Sequence, residues 1–401
     1  MKLMLLSNAA WSNTGYGTQT RQIVTALKAA GHDPAVTAFY GVEGAVLNWG
    51  GIPHYPKGFH AYGSDVASAN TLHHGARLVI SFLDIWVVVP EMIDSRVKWA
   101  AYFPIDHDPI PPPVRDKAAQ AWRRIVYSKF GAAKCDQAGL DYDYIPHGVD
   151  VETFKPIPAR EARARLGWPQ DAFIVGMVAA NKGNPSRKNF QQQLEAFKLL
   201  HTAHPDTLMY IHCHAGTENE GVNLRELVDA LGLTDAVFFA NSYDYYRGLP
   251  DEYLVSAYNA MDVLTNVAMG EGFGIPILEA QSCGTPVIVG DWTSMSELCF
   301  GGWKVDRADA APFWTPLAAY QFVPRAEAIA EQMLNAYDGA GNFTLQKKAR
   351  RGAVEYDTQK VVKEGWLPLL ARYEAALVEE YGSAEFSLSV PPLTTAEAGA
   401  A

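Results

Sequence analysis

Glu271-Gly272-Phe273-Gly274-Ile275-Pro276-Ile277-Leu278-Glu279-Ala280-Gln281-Ser282-Cys283-Gly284-Thr285-Pro286-Val287-Ile288 reads as a glycine-bearing loop, a helix and the start of a strand. An apolar strand expected at 263–266 precedes it and another at 286–289 completes it, so the stretch is one turn of a parallel sheet with its crossover helix. Glu271 sits on the loop and Glu279 eight positions on, in the helix. Backbone amides from Gly272 to Ile275 lie near a helix start, where glycine permits close approach and the helix dipole favours negative charge. Ionised carboxylates accept hydrogen bonds from the paired hydroxyls of a sugar or a ribose. One such loop can hold both ends of a nucleotide sugar.

The same strand, loop and helix order recurs outward in both directions. On the near side, residues 173–179 form an apolar strand, 181–187 a loop rich in Gly, Pro and Asn, and 189–201 an amphipathic helix with Phe190, Leu194, Phe197 and Leu200 on one face. Strands at 207–213 and 237–240 follow. Toward the N-terminus the pattern is a strand at 2–7, a loop at 8–17 and a helix at 18–30 carrying Ile23, Val24, Leu27 and Ala30, then strands at 34–39, 78–83, 99–103 and 124–128. Short continuous apolar runs are those of strands covered on both faces. The expectation is an α/β chain of two Rossmann-like, doubly wound domains: 1–160, and 161–360 after a boundary near Pro156 to Trp168. A helical segment at 361–382 is expected to cross back to the first domain, with Trp366, Leu369, Leu370, Tyr373 and Leu377 inward, and 383–401 is expected to be a disordered tail.

Length and composition agree with that organisation. The 401 residues are 48% hydrophobic and 19% charged, which excludes a disordered or fibrous chain and suits two cores. The net charge of −11 disfavours nonspecific binding to polyanions. No apolar run is long enough for a signal-peptide core or a membrane span, and Cys135, Cys213, Cys283 and Cys299 are too scattered for a disulfide framework, so the expected location is cytoplasmic.

The segment from Glu271 to Glu279 resembles the E-x-seven-E signature of retaining family 4 glycosyltransferases with the GT-B fold. Asp251 to Leu254, Ala257 to Val263 and Gly284 to Ile288 are similar to the text flanking that signature, and Ile145-Pro146-His147-Gly148-Val149-Asp150, with Phe154 and Pro156, to the family's interdomain segment. The resemblance implies two domains facing a deep cleft, an acceptor-binding domain followed by a donor-binding one. It implies that Glu271 contacts the hydroxyls of the donor sugar, Glu279 the ribose, and the amides of Gly272, Phe273, Gly274 and Ile275 the length of the donor. Lys188 fits the lysine that the family sets against the diphosphate. The family's arginine position falls on Asn181 or Lys182 according to register, and Arg187 is a third candidate cation. Gly15, Tyr16 and Gly17 match the glycine-rich loop that faces the donor phosphates and the acceptor across the cleft, with Tyr16 reading equally as a core or lid residue. His107, or Asp106 if the register shifts, matches a histidine that meets the donor sugar. Asp84 and Trp86 are candidates for the acceptor pocket.

The resemblance further implies a front-face transfer with retention, in which the departing phosphate oxygen takes the acceptor proton, with no bound metal and no cofactor. The partners are then a nucleoside diphosphate sugar and an acceptor hydroxyl on a glycan or small molecule, a modified DNA base being the minority alternative. A nucleotide-sugar epimerase or a non-catalytic sugar-binding protein on the same scaffold are the competing readings. A phosphorylase would need a lysine-bound pyridoxal phosphate, for which no motif is present. His147 reads as a packing residue; Glu297 reads equally as a ligand or as a helix-starting carboxylate. His212 and His214 alternate along a strand without a third ligand at metal spacing.

Overall fold

The computed structural model describes residues 1–218 and 220–382; the tail expected at 383–401 lies outside the described residues. The described chain divides into two compact units, one made of Met1–Phe103, Gln120–Ile125 and residues 362–382, the other of Pro104–Ala119 and Val126–Val361.

In the first unit β1 (Lys2–Asn8), β2 (Asp33–Tyr40), β3 (Leu47–Trp49), β4 (Ile52–Pro56), β5 (Leu78–Phe82), β6 (Lys98–Phe103) and β7 (Arg123–Val126) lie in the order β3-β4-β2-β1-β5-β6-β7. β1 buries every residue after Lys2 and runs parallel to β2 on one side and β5 on the other, which is why Leu3 to Leu6 form an unbroken apolar run before Ser7 and Asn8. β3 and β4, which have no counterpart in the sequence reading, form an antiparallel edge hairpin closed by Gly50 and Gly51, with φ of 57° and 77°. A two-residue turn with both positions left-handed favours glycine there. The helix Leu367–Tyr381 buries Leu369, Leu370, Tyr373 and Leu377. Trp366 meets Tyr102 edge-on at 5.1 Å, and Tyr373 meets Trp122 at 5.2 Å. A π-helical turn at Val362–Trp366 interrupts the run just before Pro368, which has no N–H to continue an α ladder.

The second unit contains the two-residue β8 (Asp143–Tyr144), then β9 (Phe173–Val178), β10 (Thr207–His212), β11 (Val237–Phe239), β12 (Val263–Asn266), β13 (Val287–Gly290) and β14 (Gly302–Val305). The last six form a sheet in the order β11-β10-β9-β12-β13-β14, every pair parallel. From β9 the chain builds outward through β10 and β11, then returns to the other side of β9 with β12. Loops leaving β9 and β12 therefore diverge around a crevice, the place where such sheets bind ligands. A further element, absent from the sequence reading, is the antiparallel hairpin of β15 (Ala310–Trp314) and β16 (Tyr320–Pro324), which stands apart from the parallel sheet.

Candidate active site

The loop after β12 carries Glu271, and its shape is fixed mostly by the segment after β13. Trp292 Nε1 donates to the carbonyls of Ala268 (3.0 Å) and Met269 (3.1 Å). The Glu271 N–H donates to Thr293 Oγ1 at 3.1 Å, while Ser294 Oγ donates to the carbonyls of Glu271 (2.7 Å) and Phe273 (2.8 Å). Two glycines allow close approach: a Cβ on Gly270 would lie 2.2 Å from the Asp106 carbonyl oxygen, and one on Gly272 would lie 2.5 Å from Pro104 Cβ. Gly274, at φ 107°, opens the helix Ile275–Ser282, and no side chain caps that helix start. Its first amides are thus oriented for an anion, as the sequence predicts for this stretch.

The loop after β9 is laced to it. Gln193, fully buried, accepts from Thr265 Oγ1 (2.6 Å) and the Val267 N–H (3.2 Å) and donates to the Lys188 carbonyl (2.7 Å). Met269 N–H donates to the Arg187 carbonyl at 2.8 Å, and Asn189 Nδ2 to the Val267 carbonyl at 2.9 Å. These bonds bring two cations onto one carboxylate: Lys188 Nζ pairs with Glu271 Oε1, and Arg187 lies 3.2 Å from Oε2 and also donates to the Gly270 carbonyl.

The third side of the cluster is the segment after Phe103. His107 Nδ1 is 2.7 Å from Asp106 Oδ1, and Arg187 is 3.8 Å from Asp106 Oδ2. Asp108 exchanges both backbone hydrogen bonds with Tyr320 of β16 (2.9 and 3.0 Å), and its carboxylate accepts from Lys134 Nζ at 2.5 Å. Burial raises the Glu271 carboxyl, but Lys188 and Arg187 outweigh it and hold the group below its ordinary range. Asp106 follows the same logic: burial opposes ionisation, and the bond to His107 together with the Arg187 charge prevails. Burial likewise lowers Lys188 despite its bond to Glu271, with Arg187 adding to the effect. Asp106 and Glu271 thus balance Arg187 and Lys188, so a bound anion has to share cations that already have partners.

Of the predicted site residues, Asp106, His107, Arg187, Lys188 and Glu271 converge. Asn181 is occupied elsewhere, since its amide nitrogen donates to the carbonyls of His214 (3.2 Å), Gly216 (3.0 Å) and Val222 (2.7 Å), and its oxygen accepts from the Val222 N–H (3.0 Å). Buried and saturated by the neighbouring loop, it carries no charge for a phosphate, and Lys182 is exposed. Glu279 is buried and accepts from Tyr258 OH at 2.8 Å. Phe273 packs its ring on His147 at 4.9 Å, leaving its backbone as the group at the helix start. In the first unit, the Gly17 N–H donates to Thr14 Oγ1 (2.9 Å), a side-chain cap, and Tyr16 meets Phe82 edge-on at 5.0 Å.

His147 and His212 are buried packing residues. His147 is pushed down to about 3 by burial, and His212, against Tyr210 OH at 2.8 Å, to about 4 by the same cause. Glu297 does not start its own turn, Thr293–Leu298, but accepts from the N–H groups of Lys129 (3.0 Å) and Phe130 (3.2 Å) at the start of the helix Lys129–Gln137. Gln193, Thr293, Ser294 and Gln321 were not legible as site residues; each acts through a loop whose neighbour is set by the sheet order, and Gln321 lies on the unpredicted hairpin.

Residues 159–300 match the family model described as glycosyl transferases group 1. The chain is similar to the D-inositol 3-phosphate glycosyltransferase of Corynebacterium urealyticum, at 35% identity over 149 residues, which are 35% of this chain and 33% of that protein. It therefore spans about a third of the length of such curated relatives. Its fold is similar to that of sucrose-phosphate synthase from Thermosynechococcus elongatus, with a TM-score of 0.74 at 18% identity over 94% of this chain and 100% of that one. HepE of Anabaena in complex with UDP-glucose gives 0.68 at 17% identity, over 92% and 100%. Residues 159–300 are thus similar to glycosyl transferases group 1, and the chain has the GT-B fold of these solved structures.

Proposed function

We propose that the chain transfers a glycosyl group, with retention and without a metal, from a nucleoside diphosphate sugar to an acceptor hydroxyl. The observation that carries this reading is the convergence of Lys188, Arg187 and Glu271 at the switch point of the second sheet, beside the uncapped start of the helix Ile275–Ser282. A diphosphate needs cations and amide dipoles where charge accumulates as the C1–O bond breaks. Lys188 and Arg187 supply the charge, the amides from Gly272 to Ile275 supply the dipoles, Glu271 receives hydroxyls of the donor sugar and Glu279 those of the ribose. The kinship of residues 159–300 and the UDP-glucose bound to HepE, a protein of the same fold, support a nucleotide-sugar donor.

In the proposed step the bond from C1 to the phosphate oxygen breaks and the acceptor oxygen bonds to C1 on the same face. That phosphate oxygen takes the acceptor's proton, so the products are the glycoside and the nucleoside diphosphate. His107, its Nδ1 held by Asp106, is the polar group offered to the donor sugar. The acceptor is a glycan or small molecule, with a modified DNA base as the minority alternative, and the setting is the cytoplasm. Among the described residues no helix is long and apolar enough to cross a membrane.

A panel of UDP-, ADP-, GDP- and dTDP-hexoses tests the reading by thermal unfolding and by release of the nucleoside diphosphate. A true donor present at a hundred times its Kd stabilises by about 2.7 kcal/mol. If no member of the panel shifts the transition or is consumed, the reading fails. Conversion of the sugar without any acceptor would mark an epimerase, an inverted anomeric product would remove retention, and loss of turnover in EDTA would remove metal independence.

A further inference from the structure

We infer that Gln321, on the hairpin of β15 and β16, is a positioning residue that holds Asp106 so that Asp106 fixes the tautomer and orientation of His107. The catalytic side of this inference rests on the glycosyl-transfer reading; the positioning itself does not. Gln321 is only 4% exposed, and its Nε2 lies 3.3 Å from Asp106 Oδ2 and 3.4 Å from the Asp106 carbonyl. Its chain neighbours are both anchored to the site: Tyr320 by two backbone bonds to Asp108 (2.9 and 3.0 Å), and Phe322, whose N–H donates to the Met269 carbonyl at 2.9 Å. The hairpin therefore bridges the segment bearing His107 and the loop bearing Glu271, with Gln321 between the two attachments.

Asp106 divides its oxygens. Oδ1 takes His107 Nδ1 at 2.7 Å, and Oδ2 faces Gln321 at 3.3 Å and Arg187 at 3.8 Å. An ionised carboxylate only accepts, so the proton of the neutral imidazole resides on Nδ1 and Nε2 becomes the acceptor. Arg187 cannot be the sole support of this arrangement, because it also serves Glu271 and the Gly270 carbonyl and is a cation that a diphosphate will attract. Gln321 is neutral. It holds Oδ2 without competing for the anion and without following it, so His107 keeps its orientation when the donor binds.

The test uses the full-length protein labelled with 15N-histidine, His107 being assigned by comparison with His107→Gln. In the parent, long-range proton–nitrogen spectra are expected to show the His107 ring as the Nδ1–H tautomer. Gln321→Leu, which removes the donor, is expected to give a mixture of tautomers, and to lower kcat for UDP-glucose hydrolysis about tenfold with KM changed less than about twofold. Gln321→Glu keeps the length but sets a second carboxylate against Asp106, and is expected to be worse than Gln321→Leu; a packing role would make it the milder change. Thermal melts establish that each variant is folded, and either variant alone carries the spectroscopic test. An unchanged His107 spectrum in the folded variants, or an Nε2–H ring in the parent, overturns the inference. Failure of the parent to consume any nucleotide sugar counts against the glycosyl-transfer reading instead, and leaves the spectra to decide on Gln321.

Discussion

The two sheets reverse their strand order in the same way, at β1 and β5 in the first unit and at β9 and β12 in the second, yet the loops at the two reversals carry different chemistry. After β1 the contacts are neutral and aromatic. Asn8 Nδ2 donates to Thr14 Oγ1 at 2.6 Å, Thr14 caps the helix Gly15–Ala29, Trp11 lies 4.7 Å from the His54 ring, and Tyr16 packs on Phe82. After β9 and β12 the contacts are ionic: Lys188 and Arg187 hold Glu271, and the next helix start has no side-chain cap. Topology sets where a ligand sits, and side chains set the charge that ligand must bring. The ionic groups after β9 and β12 suit an anion, and under the proposed transfer the donor diphosphate would lie there, with the acceptor hydroxyl beside the loop after β1.

The largest effect should come from disarming the ionic reversal. Lys188→Ala is expected to lower turnover of the true donor by about 100- to 1000-fold, the scale of losing one preorganised charge at a developing oxyanion. It should also shrink the donor-induced rise in melting temperature. Glu271→Gln, which keeps the volume, is expected to lower turnover on the same scale. Near-parental rates in either variant would remove the contrast between the two reversals.

Acid provides the next test. The folded Glu271 and Asp106 carboxyls lie below their ordinary values, so each contributes stability that is fully present above its unfolded pKa, about 4.3 and 3.9, and is lost as the pH falls through the folded value. Urea midpoints taken from pH 6 downward should therefore fall steeply below about pH 4. Glu271→Gln should flatten that fall, and an equally steep profile in the variant would sink the assignment.

At the neutral reversal, Thr14→Ala should cost about 1–2 kcal/mol of unfolding free energy, the range for a helix cap. The change also removes the acceptor of Asn8, which is 5% exposed. The donor-induced shift should shrink less than in Lys188→Ala. A larger loss of donor binding in Thr14→Ala would mean that the neutral loop, and not the ionic one, dominates the donor site.

How much of this was legible depends on how local each signal is. β1, β9 and β12 announce themselves by the short apolar runs of strands buried on both faces, Leu3 to Leu6, Phe173 to Val178 and Val263-Leu264, and Glu271 is recognisable because its loop, helix and second carboxylate are contiguous. The choice among Asn181, Lys182 and Arg187 was not legible, since it depends on which loop each side chain meets. Asn181 is absorbed by backbone groups from 214–222, whereas Arg187 reaches the loop after β12. The hairpin of β15 and β16 did leave traces, with Phe313-Trp314 and Tyr320-Gln321-Phe322-Val323 on either side of Thr315-Pro316. Its role was invisible, because Gln321 acquires meaning only 215 positions away, at Asp106.

The smallest effect on stability is expected at Trp86, and it bears most directly on the neutral reversal. Trp86 lies in a short helical turn, Ile85–Val87, that follows β5, and it leaves 42% of its surface exposed while its neighbours Ile85 and Val87 are buried. Its removal opens no core cavity, so Trp86→Ala should change the unfolding free energy by less than about 1 kcal/mol. The donor-induced shift should be unaltered, and so should hydrolysis of the donor in the absence of acceptor, because Trp86, on the turn after β5, brings no charge to a diphosphate. What should change is transfer to a sugar acceptor: if Trp86 lines the acceptor pocket, its exposed ring contributes area and orientation, so KM for a glucoside acceptor should rise several-fold with kcat nearly constant. If hydrolysis falls with transfer, Trp86 serves the donor and the two reversals do not divide the substrates between them.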